Sequence, residues 1–156
     1  MSLITEEKNT VAHALQTVCT TLRGSQLVSG IQYATAFYDF ADDGGAIATD
    51  INKYFSQPIP SGSAIIEYFT DVTTTLTTGS TTAVGLGINA ADDLLAATTI
   101  AGAPWTGALD RVSMTTAAYL TTADRSYVII SIDTAALTAG AFTVKIGYLA
   151  PNIDGL

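Results

Sequence analysis

From Gln32 onward, apolar and polar residues alternate with a period of two, the signature of half-buried β-strands. Over Ala141 to Leu149, Phe142, Val144, Ile146 and Tyr148 point one way, and Thr143, Lys145 and Gly147 the other. Ser126 to Asp133 sets Val128, Ile130 and Ile132 against Tyr127, Ile129, Ser131 and Asp133. Thr81 to Ile88 sets Thr82, Val84, Leu86 and Ile88 against Thr81, Ala83, Gly85 and Gly87. Ser63 to Val72 groups Ala64, Ile66, Tyr68 and Val72, leaving Ile65 and Phe69 flanking Glu67 on the opposite, outer face. Weaker strands are expected at Tyr33 to Phe40, Gly45 to Ile51 and Arg111 to Ala117, and a short helix is possible within Ala91 to Ala97. Turn signals stand at Asp42 to Gly45, Pro58 to Ser63, Thr77 to Ser80 and Thr138 to Gly140.

The first segment follows another rule. Val11, Leu15, Val18 and Leu22 recur at spacings of four, three and four, a single helical stripe. Thr5 can cap it, and Arg23 with Gly24 can close it, but the run TVCTT has low helix propensity. The expectation is a helix or an extended arm over residues 1–31, followed by a mainly β domain over residues 32–156. Seven or eight short strands with no room for crossover helices describe an antiparallel β-sandwich or jelly roll.

Composition adds to this picture. A chain of 156 residues can bury roughly 70% of the surface its unfolded form exposes. Hydrophobic residues reach 48% and charged ones only 13%, about half the usual charged share. So few charges suggest a surface partly covered by partners, or else a soluble monomer with a threonine-rich skin. The net charge is −8, with six scattered basic residues, so nucleic acid is not expected as a partner. No apolar run approaches the ~20 residues of a membrane span, and MSLITEEKNT lacks the basic start of a secretory signal. The single cysteine, Cys19, fits a reducing cytoplasm as the place of synthesis.

The search for chemistry yields no catalytic residues. His13 and Cys19 lie six apart, on different sides of a helix. One of each cannot build a zinc site, and no cofactor is expected. Asp42–Asp43 and Asp92–Asp93 resemble turns more than calcium loops. Gly85 and Gly87 form a lone G-x-G without a dinucleotide site's third glycine, and suit close packing or a bulge. Glu67, set between apolar neighbours, is the acid in which a raised pKa would signal function; a rim position or an interface salt bridge is the plainer role. The expectation is not an enzyme. The candidate interface residues are Val11, Leu15, Val18 and Leu22 of the first segment. To these are added Ile65, Phe69, Tyr127 and Ile129 of the outer faces, and Trp105, which anchors a contact or covers the end of the sandwich.

Four stretches, in order, carry a resemblance: FYDFADDGGAIATDI (Phe37 to Ile51), PIPSGSAIIEYFTDVTTTLTTGSTTAVGLGI (Pro58 to Ile88), DLLAATT (Asp93 to Thr99) and IDTAALTAGAFTVKIGY (Ile132 to Tyr148). Together they resemble small virion structural proteins of tailed bacteriophages. The resemblance spans Tyr33 to Leu149 and omits the first thirty residues. It implies a component of the capsid exterior, a cement or decoration protein contacting the major capsid protein and tending to form homotrimers. A head-fibre or tail subunit recognising host carbohydrate is the alternative. The first segment, Met1 to Ile31, is then the expected anchor and the sandwich the trimer-former.

Overall fold

A computed structural model describes residues 30–107, 109–113, 119–121 and 123–151. They contain β1 (Gln32–Asp39), α1 (Phe40–Asp43), β2 (Ile51–Ile59), β3 (Ala64–Thr78), β4 (Ala83–Gly87), β5 (Leu95–Thr99), β6 (Asp110–Ser113), β7 (Tyr119–Leu120), β8 (Arg125–Asp133) and β9 (Leu137–Leu149). One sheet runs β1-β9-β3-β6, with β7 also on β3; the other runs β2-β8-β4-β5. All the pairings are antiparallel.

Apart from the two-residue β7, the chain closes four nested pairs: β1 with β9, β2 with β8, β3 with β6, and β4 with β5. This nested hairpin is rolled so that β9 lies between β1 and β3, and β8 between β2 and β4. Such wrapping is that of a jelly roll. The expected sandwich class is therefore what the chain adopts.

The core is built by the alternate residues that the period-two pattern marks. Val84, Leu86 and Ile88, then Val128, Ile130 and Ile132, face Phe142, Val144, Ile146 and Tyr148 across the interior. Tyr38 stacks on Phe142 with centroids 4.8 Å apart, and Trp105 meets Phe142 edge-on at 5.1 Å.

Several expectations need correction. Ile65 is wholly buried in the core, not on an outer face. The β3–β9 register shifts between Ile65 and Glu67, a bulge that turns the strand by one residue, so Ile65 and Tyr68 both point inward. Trp105 is also interior, since the β5–β6 connection folds it under the sandwich and its indole N–H donates to Thr98 Oγ1 at 3.0 Å. It covers the core and is not offered as a surface anchor.

Gly45 to Asp50 form no strand. Asp39 caps the single turn α1 by accepting the Ala41 N–H, and Gly44 leaves it at φ 71°, so the strand starts only at Ile51. No helix forms within Ala91 to Ala97. Asp93 accepts the N–H groups of Ile88, Asn89 and Ala90, which folds a tight loop, and Leu95 then begins β5. Thr138 to Gly140 lie inside β9, where Gly140, at φ 133°, lets the strand pass Leu76. The β8–β9 turn is at Asp133 to Ala136, with Thr134 at φ 76°.

Candidate interaction face

The outer face of the β1-β9-β3-β6 sheet carries an unusual set of side chains. Pairing aligns Tyr33 of β1 with Gly147 of β9 and Glu67 of β3, and one step along aligns Thr35, Lys145, Phe69 and Arg111. Gly147 makes this arrangement possible. A Cβ there would meet Glu67 Cγ at 2.7 Å and Tyr33 Cε1 at 3.1 Å, so only glycine lets the two side chains cross β9. The Tyr33 hydroxyl donates to Glu67 Oε1 at 2.8 Å, and Arg111 Nε donates to Oε2 at 2.8 Å, with its Nη2 on the same oxygen.

Glu67 is thus a buried carboxylate (3% exposed) on the outside of a sheet, roofed by an aromatic ring and a guanidinium. Lys145 Nζ lies 4.3 Å above the Tyr33 ring centre, and the Arg111 guanidinium 5.9 Å above that of Phe69. Two of the chain's six basic residues stand here, and Glu67 neutralises one of them. Around them, Phe37 is 48% and Leu149 42% exposed. By strand alternation both share this face, and Ile31, just before β1, is exposed as well. By the same alternation Asp71, level with Thr143 and Phe37, lies on this face too. Arg111 and Lys145 are thus matched by Glu67 and Asp71, and the face sets exposed Phe37 and Leu149 around a balanced group of charges.

The bond from Tyr33, then those from Arg111, hold the Glu67 carboxyl below its ordinary 4.5 despite its burial. The same Tyr33–Glu67 bond, with burial second, raises the tyrosine hydroxyl above its ordinary 10. A raised Glu67 pKa, the mark of function looked for in the sequence, is therefore not found; the carboxylate is held ionised. Above 4.5, both folded and unfolded chains carry an ionised Glu67, and its stabilising contribution is complete. As pH falls below 4.5, the unfolded chain binds the proton first, and the contribution is lost as pH passes through the lower folded value. Glu67→Gln should therefore melt below wild type at pH 7, and the gap should narrow steadily in thermal melts taken below pH 4.5.

The second sheet presents less. Tyr54 (74% exposed) packs edge-on against Tyr127 at 6.0 Å, and Ile129 lies half-buried beside them on β8. Gly85 and Gly87 do serve close packing, because the loop after β4 covers both. A Cβ on Gly87 would fall 1.9 Å from the Ala90 carbonyl oxygen. Three of the four paired carboxylates, Asp43, Asp92 and Asp93, are engaged in folding the chain. Asp43 holds Lys53 and the Asp39 N–H, Asp92 bonds Ser131 Oγ, and Asp93 holds three amides. Among the described residues, no group of three His, Cys, Asp or Glu side chains is placed to hold a metal.

Of the residues singled out in the sequence, Phe69 joins the first face, and Tyr127 and Ile129 the second. Ile65 and Trp105 join neither, and Val11, Leu15, Val18 and Leu22 lie outside the described residues. Tyr33, Phe37, Arg111 and Lys145 were not anticipated. Phe37 and Lys145 could have been found by extending the alternation of their strands. The Tyr33–Glu67–Arg111 group could not, because its members are 34 and 44 residues apart in the chain.

Comparison with solved structures gives the same fold in phage capsids. A chain of the cyanophage Pam1 capsid asymmetric unit superposes with a TM-score of 0.56 at 18% identity, covering 78% of this chain and 86% of that one. A chain of the acid-stable capsid of the Helicobacter pylori bacteriophage KHP30 does so with 0.53 at 17%, covering 79% and 90%. The shared stretch fills a larger share of each of those chains, so each is shorter than this one. At these identities the likeness is one of fold. No protein-family model and no curated protein matches the sequence.

Proposed function

We propose that the protein is a non-catalytic structural component of a tailed-bacteriophage particle, a cement or decoration protein on the capsid exterior. In this role it binds the major capsid protein, bridges neighbouring shell subunits and associates as a homotrimer. The observation that carries the reading is the outer face around Tyr33, Phe69, Arg111 and Lys145, where exposed Phe37 and Leu149 flank aromatic rings capped by cationic side chains. Aromatic residues and arginine are the types enriched in protein interfaces, and a glutamate already neutralised in place removes a desolvation cost on docking. Two further points support it: the sequence resemblance to small virion proteins, and a fold shared with two short chains of phage capsids. A stable contact of this kind buries on the order of 1,200 Å² or more. A trimer closes when one patch meets a different patch of the next copy around a threefold axis.

One observation favours the second reading, a head-fibre or tail subunit that recognises host carbohydrate. Tyr54 and Tyr127 form an exposed aromatic pair of the sort on which sugar rings stack. A count of copies per particle by quantitative mass spectrometry of purified virions separates the two. The shell role predicts a copy number comparable to that of the major capsid protein. A handful or a few dozen copies, with glycan-array binding abolished by Tyr54→Ala, would establish the fibre or tail role instead.

A further inference from the structure

We infer that the cleft at the open side of the sandwich accepts an extended, uncharged segment of a neighbouring shell subunit, added as a strand beside Thr73 to Thr78; this rests on the shell role proposed above. The two sides of the sandwich are finished differently. On one, the β1 and β2 edges are tied together. Ser56 Oγ accepts the Thr35 N–H at 3.2 Å, Gln57 donates to the Tyr33 carbonyl at 2.9 Å, and β2 carries Lys53 and Pro58. These are familiar ways of blunting an edge strand.

On the other side, β3 continues well past its pairing with β6, which ends at Thr70. Val72 donates to the Gly107 carbonyl at 3.4 Å, and beyond it Thr73 to Thr78 have only β9 beside them among the described residues. β5 likewise has a strand, β4, on one flank alone. The stretch Thr73 to Thr78 reads TTTLTT, with no charge, proline or glycine. Among the described residues, its register irregularities against β9 are the protection it shows.

Between these edges lies a cleft of about 540 Å³, lined by residues that include Thr75, Leu76, Thr81, Ile100 and Thr106, with no charged side chain. Several threonine hydroxyls bordering it are already committed: Thr77 to Thr138, Thr78 to the Ala136 carbonyl, and Thr82 to the carbonyls of Asp133 and Ala135. What the cleft offers is the strand backbone of β3, the hydroxyls of Thr75, Ser80, Thr81 and Thr106 along its border, and an apolar floor at Leu76 and Ile100. That combination suits the alternating backbone and side chains of an extended peptide. Six residues of strand extend ~20 Å. An occupant whose inward-facing side chains are uncharged fits best, because no lining side chain offers a charge to pair with.

The test uses the full chain and heads assembled without it. Amide hydrogen exchange is measured on free and head-bound protein, and attachment is compared with the double variant Thr75→Lys/Thr106→Glu, which leaves net charge unchanged. Both positions are exposed, so the variant is expected to fold, which a thermal melt verifies. The inference predicts exchange at Thr73 to Thr78 slowed at least tenfold on attachment, and attachment of the variant weakened at least tenfold. Wild-type attachment with unchanged exchange there, or with normal binding of the variant, overturns the cleft assignment and leaves the shell role standing. No wild-type attachment at all overturns both. Protection that rises with the concentration of free protein assigns the cleft to a second copy and overturns the partner named here.

Discussion

Trp105→Ala should lower the unfolding free energy by about 3–5 kcal/mol, and the melting temperature by roughly 10 °C. The indole is 1% exposed, lies edge-on to Phe142 and closes the core beneath the connection between β5 and β6. Truncation removes that buried area, leaves a cavity and deprives Thr98 Oγ1 of its indole donor. Trp105→Phe keeps most of the volume and loses only the hydrogen bond, so its melt should fall between wild type and the alanine variant. Were Trp105 a surface anchor instead, both substitutions would leave the melting temperature unchanged and weaken attachment alone.

Gly87→Val should cost about 3 kcal/mol or more, and should abolish soluble expression if the loop after β4 cannot move. The obstacle is main chain: the Ala90 carbonyl oxygen stands 1.9 Å from where a Cβ would sit. Asp93 fixes that loop through the amides of Ile88, Asn89 and Ala90, so retreat breaks three hydrogen bonds as well. Gly79, at the β3–β4 turn, supplies the control. Nothing lies within 4 Å of a Cβ there, and Gly79→Ala should stay within about 0.5 kcal/mol of wild type in chemical denaturation.

These two sites mark where reading the sequence succeeded and where it failed. Alternation located the core faces of β4, β8 and β9 because their inward-facing positions are filled by large apolar residues in unbroken succession, Val84 to Ile88, Val128 to Ile132 and Phe142 to Tyr148. It misplaced Ile65 because one extra residue, Ile66, bulges from β3 and reverses the alternation, and nothing in the residue types announces it. For Trp105 the sequence leaves two roles open, anchor or cover; burial under the β5–β6 connection selects the cover, a choice that depends on the loop's path and not on residue type. The glycines at 85 and 87 were rightly read as sites of close packing. The loop that packs on them runs into the stretch Ala91 to Ala97, where a short helix is possible by sequence. Asp93 instead turns back to accept the amides of Ile88, Asn89 and Ala90, a fold that residue type does not announce. At the interaction face, Phe69 and Glu67 stood out by their setting on one strand. Their partners come from β1, β6 and β9, and only the jelly-roll wrapping brings those strands side by side.

In the proposed function, the outer face of the β1-β9-β3-β6 sheet is the surface that seats the protein on a phage shell. Phe37 and Leu149 lie on that face, are exposed and contribute little to the core, so Phe37→Asp/Leu149→Asp should melt close to wild type. The most direct measurement is the occupancy of protein-free heads by this variant and by wild type over a concentration series. The variant should attach at least tenfold more weakly at an unchanged melting temperature. Equal occupancy of the two would contradict the proposed seating.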